Sequence, residues 1–155
     1  MGCNFTNVHY EYICRLISNS SYRSIFFNEG YNEEEKILLL RHDVDQSIEN
    51  ALNFAKMERN HKVKATYFIW LTSPFYNIFE KYYAKIIYEI ISLGHQVGLH
   101  FNEESYDINS IKDLNYHINM EAEIIEKYFK LKIHTVSMHK PSKWIINDNI
   151  KLDNY

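Results

Sequence analysis

At 155 residues, the chain is long enough for one domain with a hydrophobic core and too short for two packed domains. Hydrophobic residues make up 46% of it and charged residues of both signs 24%, which excludes intrinsic disorder. The formal net charge of −3, without a cluster of lysines or arginines, excludes the basic surface that binds nucleic acids or anionic membranes.

The N-terminal residues and the cysteines bear on the cellular compartment. Residues 1–10 contain no basic segment followed by an apolar stretch, and no window approaches the roughly 18 apolar residues of a membrane span. Cys3 and Cys14 lack CxxC spacing, which predicts neither a disulfide framework nor a zinc finger. We therefore expect a cytoplasmic protein with no membrane span and no nucleic-acid partner.

The first quarter of the chain precedes the predicted core. Residues 8–18 are typical of a short helix, and the polar residues 28–36 are typical of a loop. No Pro/Gly-rich linker or internal repeat divides the sequence. We therefore predict a single domain over residues 1–155, with residues 1–36 as an N-terminal preamble.

Strands alternate with helices over the rest of the chain. The apolar run 37–40 is typical of a strand buried on both faces, and Ser47 is the expected N-cap of the helix that follows. Further strands and helices are predicted in turn over residues 63–70, 78–91, 96–99, 114–129 and 133–138. This alternation predicts an α/β fold with a parallel sheet, either open or curled into a barrel.

Two aspartates come directly after the first predicted strand. Asp43 and Asp45 are separated by one residue, and neighbouring carboxylates repel each other unless a cation or a shared proton offsets them. The pair therefore suits one metal ligand and one general base. The alternative is that they cap the helix that begins near Ser47, but one aspartate would suffice for that.

Histidines follow the third and fourth predicted strands, at the edge where α/β sheets bind ligands. His95 and His100 are five residues apart and point to opposite faces of a regular strand, so we expect His100 to be a ligand and His95 to be structural, with its imidazole hydrogen-bonded. Glu104 shares a face with His100 if the segment is helical, and is otherwise an exposed acid. His139 is a third neighbour of the site, a proton carrier or a loop histidine.

The remaining candidates surround this group. His42 is expected to orient the acid pair through a hydrogen bond, Trp70 to form a wall of the pocket, and Pro141 to fix the loop after His139. Oxygen and nitrogen donors without thiols suit Zn²⁺ or a related divalent ion in an open catalytic site. Such an ion lowers the pKa of bound water and polarises a carbonyl group while a nearby carboxylate takes the proton.

Four segments, in this order, carry a family resemblance: Leu40-Arg41-His42-Asp43-Val44-Asp45, Lys64-Ala65-Thr66-Tyr67-Phe68, Gly94-His95-Gln96-Val97-Gly98-Leu99-His100 and Met138-His139-Lys140-Pro141. The chain resembles the polysaccharide deacetylase (NodB-like) superfamily, also called carbohydrate esterase family four. The resemblance implies a distorted (β/α)₇ barrel, of which about the first four β/α units are present.

The same resemblance implies roles for three residues. Asp43 matches the catalytic base of the family, Asp45 its aspartate metal ligand, and His100 the first histidine of its His-x-x-x-His metal motif. The implied activity is that of a zinc-dependent hydrolase that acts on carbon–nitrogen bonds other than peptide bonds. Its implied substrate is an acetylated carbohydrate, from whose amino sugar it removes an acetyl or related acyl group.

The chain departs from the family pattern at three points. Glu104 stands in place of the second histidine of the metal motif, and we take it as the third metal ligand. His139 stands in place of an arginine, and we take it as the catalytic partner of Asp43. The chain also ends before the motif that supplies the general-acid histidine of the family. We therefore expect either a truncated gene product or a homo-oligomer whose subunits complete the sheet.

Two other functions stay open from the sequence. The first is a non-catalytic sugar-binding or assembly remnant of a deacetylase, indicated by Glu104 and by the short C-terminal part. The second is an open α/β nucleotide or phosphoacceptor domain that binds Mg²⁺ through the acid pair, although no glycine-rich phosphate loop supports it.

Overall fold

The computed structural model describes residues 6–147 and 150–155. Three strands follow the first helix, and from the third of them onward strands and helices alternate. In chain order they are α1 Asn7–Ser18, β1 Arg23–Ile25, β2 Ile37–Leu39, β3 Arg41–Val44, α2 Ile48–Asn60, β4 Thr66–Ile69, α3 Lys81–Ser92, β5 Gln96–Asn102, a 3₁₀ turn Glu103–Ser105, α4 Ile111–Phe129, β6 Val136–His139 and α5 Lys143–Asn147. Over these two ranges, no helix combines the length and the apolar character that a bilayer crossing requires.

The strands form two parallel sheets. β1 pairs with β2, and a four-stranded sheet has the order β3-β4-β5-β6. Within this sheet α2, α3 and α4 connect successive parallel neighbours. The sheet curls into half of a barrel, so the predicted α/β class with a parallel sheet is confirmed, and the curl is consistent with part of an α/β barrel.

One face of the curled sheet, here called the outer face, packs against the helices. Because successive residues of a strand point to opposite faces, Tyr67, Ile69, Val97, Leu99 and Phe101 share this face, and all are buried. They join one hydrophobic core with apolar side chains of α2, α3 and α4. Each large apolar side chain buried in this way contributes about 1.5–3 kcal/mol to stability.

The opposite face of the sheet, here called the inner face, carries charged residues over a buried aromatic ring. The strand register aligns Asp43 with Phe68 and Phe68 with Gly98. The guanidinium of Arg41 lies 5.4 Å from the centre of the Phe68 ring. A Cβ atom at Gly98 would lie 2.6 Å from a carbon of the same ring, so this position has room for glycine alone.

Helix ends follow the expected capping rules. The side chains of Ser47 and Ser110 accept hydrogen bonds from the backbone N–H groups of Asn50 and Asp113, which confirms Ser47 as an N-cap. Gly94 has a φ of 90° just after α3, where a left-handed residue ends many helices.

The described part of the predicted preamble belongs to the fold. α1 is the expected helix, and residues 28–36 form the expected loop. The sequence pattern did not predict β1, whose Ser24 pairs with Leu38 of β2. Cys14 of α1 is buried, whereas Cys3 lies outside the described residues.

The strand boundaries differ from the predicted ones where the chemistry lies. The first predicted strand, 37–40, corresponds to β2, and a second strand, β3, lies where the prediction had a loop, so Asp43 lies within β3 and only Asp45 follows it. β5 continues to Asn102, which places His100 inside a strand. The expectation that Asp43 and His100 both follow strands is therefore wrong, and alternation along the strand decides where they point.

Candidate metal centre

Three side chains from three different strands converge at the carboxyl edge of the sheet. They belong to Asp45 after β3, His100 in β5 and His139 at the end of β6. The Nε2 atom of His100 lies 3.1 Å from Asp45 Oδ1 and 3.1 Å from His139 Nδ1, and the last two atoms are 3.2 Å apart. The side chain of His100 is 2% exposed and that of Asp45 is 47% exposed, so the group opens to solvent on the Asp45 side.

The spacing of these donor atoms fits a small divalent cation. Ligand atoms about 2.0–2.1 Å from Zn²⁺ in a tetrahedral arrangement lie about 3.3 Å apart. The three atoms of Asp45, His100 and His139 come close to that spacing, and two imidazoles with one carboxylate form a donor set that suits zinc. This group can therefore hold a divalent metal ion and leave its solvent side open.

The environment of His100 leaves its Nε2 atom free to bind a metal. The Nδ1 atom lies 3.2 Å from the backbone oxygen of Ser137, which can only accept a hydrogen bond, so Nδ1 carries the proton. Burial is the main reason that the pKa of His100 lies below its usual value, and the ring is therefore neutral at neutral pH. A neutral ring with a protonated Nδ1 presents a lone pair on Nε2.

An aromatic ring fixes the plane of His139. The rings of Trp70 and His139 stack with 4.2 Å between centroids and 27° between planes. The indole Nε1 of Trp70 donates to Thr72 Oγ1 at 2.9 Å, so the stacked ring is itself held in place. The sequence-based prediction placed Trp70 in a wall of the pocket, and the structure places it against a candidate ligand.

Glu104 lies outside the convergent group. Within the described parts of the chain, the candidate metal group consists of Asp45, His100 and His139, while Glu104 is exposed on the 3₁₀ turn after β5. The segment after His100 continues as a strand, so the helical spacing that would align Glu104 with His100 does not arise. His139, and not Glu104, therefore completes the candidate metal group.

The neighbouring acid, Glu103, holds the loop that follows His139. Its carboxylate accepts hydrogen bonds from the backbone N–H and, at 3.1 Å, from the hydroxyl of Ser142. Ser142 follows Pro141, the residue predicted to fix this loop, and Lys140 before it has a φ of 46°. The loop after β6 is therefore anchored to the end of β5.

Asp43 lies beside the metal group and is held by two partners other than His139. Arg41 Nη2 donates to Asp43 Oδ2 at 2.5 Å, and the hydroxyl of Ser137 donates to Asp43 Oδ1 at 3.2 Å. Arg41 Nη2 also lies 2.5 Å from the hydroxyl oxygen of Ser137. Arg41 thus makes the pairing that the sequence predicted for His139, whose Nδ1 atom faces Asp45 and His100 instead.

His42 points away from the acid pair. It neighbours Asp43 in β3, and adjacent strand residues point to opposite faces, so its ring lies on the outer face of the sheet. There His42 Nε2 lies 2.5 Å from Glu58 Oε1. The prediction that His42 orients the acid pair by direct hydrogen bonding is therefore wrong.

The partner of His42 is the centre of a buried polar group, here called the Glu58 cluster: Tyr10, His42, Glu58, Tyr67 and His95. Glu58 is fully buried, and the hydroxyls of Tyr10 and Tyr67 both donate to its carboxylate. His95 Nε2 lies 2.9 Å from the Ala55 carbonyl oxygen, which confirms the structural role predicted for this histidine. Burial is the first cause that lowers the pKa of His95.

A cleft of about 440 Å³ opens beside the two aspartates. Its remaining lining comes from β3, from the loop that follows it and from the first turns of α2, and includes amide, hydroxyl and aromatic side chains. The lining residues are Arg41, His42, Asp43, Val44, Asp45, Gln46, Ser47, Asn50, Ala51 and Phe54. The cleft therefore provides room for a polar ligand next to Asp43.

Sequence reasoning missed two residues of this site, Arg41 and Ser137. Arg41 precedes Asp43 by two residues, and a strand assignment for both would have placed them on one face. Ser137 carries no local signal, because it meets Asp43 only through the register that pairs it with His100.

Comparisons of the chain with protein-family models, curated proteins and solved structures found no match.

Proposed function

We propose that this chain belongs to a metal-dependent hydrolase of the NodB-like deacetylase type, which removes an acetyl or related acyl group from an amino sugar. The observation that carries the proposal is the meeting of a carboxylate and two imidazoles at one edge of the sheet, with Asp43 held beside them. The half-barrel architecture agrees with the first part of a (β/α)₇ barrel.

Asp45, His100 and His139 would hold the ion, most suitably zinc for this donor set. When bound, such an ion supplies Lewis-acid polarisation of an acyl carbonyl group and eases the ionisation of water. The burial of His100 and the stacking of His139 on Trp70 hold two of the three donor atoms in place before any ion arrives.

Asp43 is the general base of the proposed reaction and accepts the proton of the attacking water. Each carboxylate oxygen has two lone pairs, so the hydrogen bonds from Arg41 and Ser137 leave acceptor sites on Asp43 free. Those two bonds also fix the carboxylate in one orientation, which proton transfer at a defined position requires.

The cleft supports an acetylated carbohydrate as the substrate. Gln46 and Asn50 present amides that both donate and accept hydrogen bonds, as hydroxyl and acetamido groups do. Phe54 adds an apolar surface against which the C–H groups of a sugar ring can pack.

We separately propose a homo-oligomer that covers the edge strand β6 of the described sheet, and light scattering would test it.

Acetate release tests the proposed activity. The purified chain would be loaded with Zn²⁺ or Co²⁺ and incubated with N-acetylglucosamine oligomers, and free acetate would be measured enzymatically. We expect release that stops when the metal is chelated. Asp43→Asn should lower the rate about 10²–10⁴-fold, the usual contribution of a general base. Glu104→Gln, an exposed carboxylate outside the ligand group, is the matched control and should keep the wild-type rate.

Binding without turnover would contradict the enzymatic proposal. Metal-loaded protein that binds the oligomers but releases no acetate from them or from other N-acetylated sugars would favour a non-catalytic sugar-binding module. In that case Asp43→Asn would leave sugar affinity unchanged.

A further inference from the structure

We propose that Tyr76 is a positioning residue of the candidate metal centre, because its hydroxyl is inserted between β3 and β4 where Asp45 and Trp70 leave the sheet. The inference rests on the metal site of the proposed function and goes beyond it, since Tyr76 touches none of the three donor side chains through a hydrogen bond. Within the described residues, its hydroxyl bonds Val44 and Trp70.

The hydroxyl occupies the place of a backbone hydrogen bond of the sheet. β3 and β4 are parallel, and the Leu40 carbonyl accepts from the Thr66 N–H at 2.9 Å. Because bonds of one direction recur every second residue in a parallel ladder, the same series would join the Val44 carbonyl to the Trp70 N–H. Tyr76 intervenes there, since its hydroxyl donates to the Val44 oxygen at 2.6 Å and accepts from the Trp70 N–H at 3.0 Å.

This insertion separates the two strand ends by the width of one hydroxyl group. Val44 directly precedes Asp45, so the bond to its carbonyl fixes the backbone from which the metal-binding carboxylate extends. Trp70 is the residue whose ring stacks on His139 and meets the His100 ring edge-on, with 6.4 Å between centroids. The Tyr76 hydroxyl therefore fixes the backbone from which the Asp45 side chain extends. It also fixes the backbone of Trp70, whose ring supports His139.

Tyr76 is itself held firmly enough to act in this way. It is buried, and its ring packs against Tyr83 of α3 with 6.2 Å between centroids. Burial is the main cause that raises the pKa of Tyr76 well above its usual range, so the hydroxyl keeps the proton that it donates to Val44. The hydroxyl is therefore both donor and acceptor at all working pH values.

Metal affinity of the Tyr76→Phe variant tests the inference. Phenylalanine keeps the packing and removes the hydroxyl, so the strand ends lose the bridge that sets their separation. We expect the dissociation constant for Co²⁺, measured by competition with a chelating dye, to rise about 10–100-fold, the range typical of residues that orient metal ligands. The visible absorption of bound Co²⁺ should change as well, because it reports ligand geometry.

Tyr67→Phe is the matched control. Tyr67 lies in β4 and, like Tyr76, is buried and donates its hydroxyl, but it does so to Glu58 on the outer face. It should lower stability without changing the dissociation constant for Co²⁺ by more than about twofold. Equal affinities of wild type and Tyr76→Phe would overturn the inference, and so would an equal loss of affinity in both variants.

A wild-type measurement covers the case in which Tyr76→Phe does not fold. Coupling between two sites is reciprocal, so a bridge that favours metal binding must itself be strengthened by the metal. We expect added Zn²⁺ to slow hydrogen exchange of the Trp70 amide by a larger factor than that of the Phe68 amide in the same strand. Equal slowing of the two amides would overturn the inference.

The outcomes separate this inference from the proposed function. A dissociation constant that rises in Tyr76→Phe, in a protein that releases no acetate, supports the positioning role and contradicts the deacetylase. Acetate release with unchanged affinity in Tyr76→Phe does the reverse. Wild-type protein that binds neither Co²⁺ nor Zn²⁺ would overturn both.

Discussion

Thermal stability should reveal which residue is the third metal ligand. In the structure His139 has its Nδ1 atom about 3 Å from both other donor atoms, whereas Glu104 is exposed on the turn after β5. We therefore expect His139→Ala to lose most of the stabilisation by Zn²⁺ and Glu104→Ala to keep it. The two variants distinguish the structural assignment from the one implied by the family resemblance.

The expected shift follows from mass action. Free metal at 100 times its dissociation constant stabilises the native state by about 2.7 kcal/mol. For a domain of this size each kcal/mol raises the melting temperature by roughly 2–4 °C, so wild type should gain about 5–11 °C. If the loss of His139 weakens binding at least about 100-fold, the same metal concentration gives about 0.4 kcal/mol, or roughly 1–2 °C.

Differential scanning fluorimetry with and without Zn²⁺, followed by excess chelator, measures these shifts. Asp45→Ala and His100→Ala should behave like His139→Ala, because all three atoms belong to one group. A full shift in His139→Ala together with its loss in Glu104→Ala would refute the structural assignment and restore Glu104 as a ligand.

Three further substitutions test the fold by urea denaturation. Burial raises the pKa of Glu121 from 4.5 to about 7. As the pH rises, this carboxyl group therefore ionises first in the unfolded chain, and the free energy of unfolding falls between pH 4.5 and pH 7. At about 1.36 kcal/mol per pKa unit, the loss is about 3 kcal/mol. Glu121→Gln should therefore stabilise the protein by up to about 3 kcal/mol at pH 8 and very little at pH 4, and equal effects at both pH values would contradict this linkage. Gly98→Ala should destabilise by about 1–3 kcal/mol because its Cβ meets the Phe68 ring, and unchanged stability would show that the ring moves freely. Glu58→Ala leaves the buried Tyr67 hydroxyl and the half-buried Tyr10 hydroxyl without their acceptor and should destabilise by about 3–5 kcal/mol, and a loss below about 1 kcal/mol would exclude the Glu58 cluster as a stabilising centre.

The features that the sequence predicted correctly are those that depend on apolar periodicity and on the direction of parallel strands. Apolar spacing identified α2, α4 and the buried strands, and Ser47 was correctly predicted as a cap. The convergence of Asp45 with His100 followed from a general property of parallel sheets, whose carboxyl ends meet at one edge. No knowledge of side-chain orientation was needed for these predictions.

The directions of the side chains at the site depend on strand assignment and register, which local sequence patterns do not contain. The charged residues after Leu40 were assigned to a loop, and this hid the alternation that places His42 and Asp43 on opposite faces. The role of His139 depends on the register that pairs it with Asn102 and on its stacking with Trp70, both of which are long-range contacts. Family spacing alone therefore pointed to Glu104.

The burial of Glu58 is indicated by the spacing of residues along α2, but the sequence analysis did not predict it. Ile48, Ala51, Ala55 and Glu58 recur at intervals of three and four residues along α2, so helical periodicity places the carboxylate on the buried face. A charged residue at such a position requires partners that are oppositely charged or that form hydrogen bonds. The identity of those partners still depended on tertiary packing.

The two polar groups on either side of β3 together specify its register. On the inner face Arg41 and Asp43 must both meet Ser137, and on the outer face His42 must meet Glu58. A slip of β3 by one residue would turn Asp43 toward the helices and His42 toward the inner face, which would leave Glu58 without one partner and bury a second carboxylate beside it. Because apolar neighbours tolerate such a slip better than charged ones, the contact between His42 and Glu58 specifies the register of β3 more strongly than apolar packing alone would.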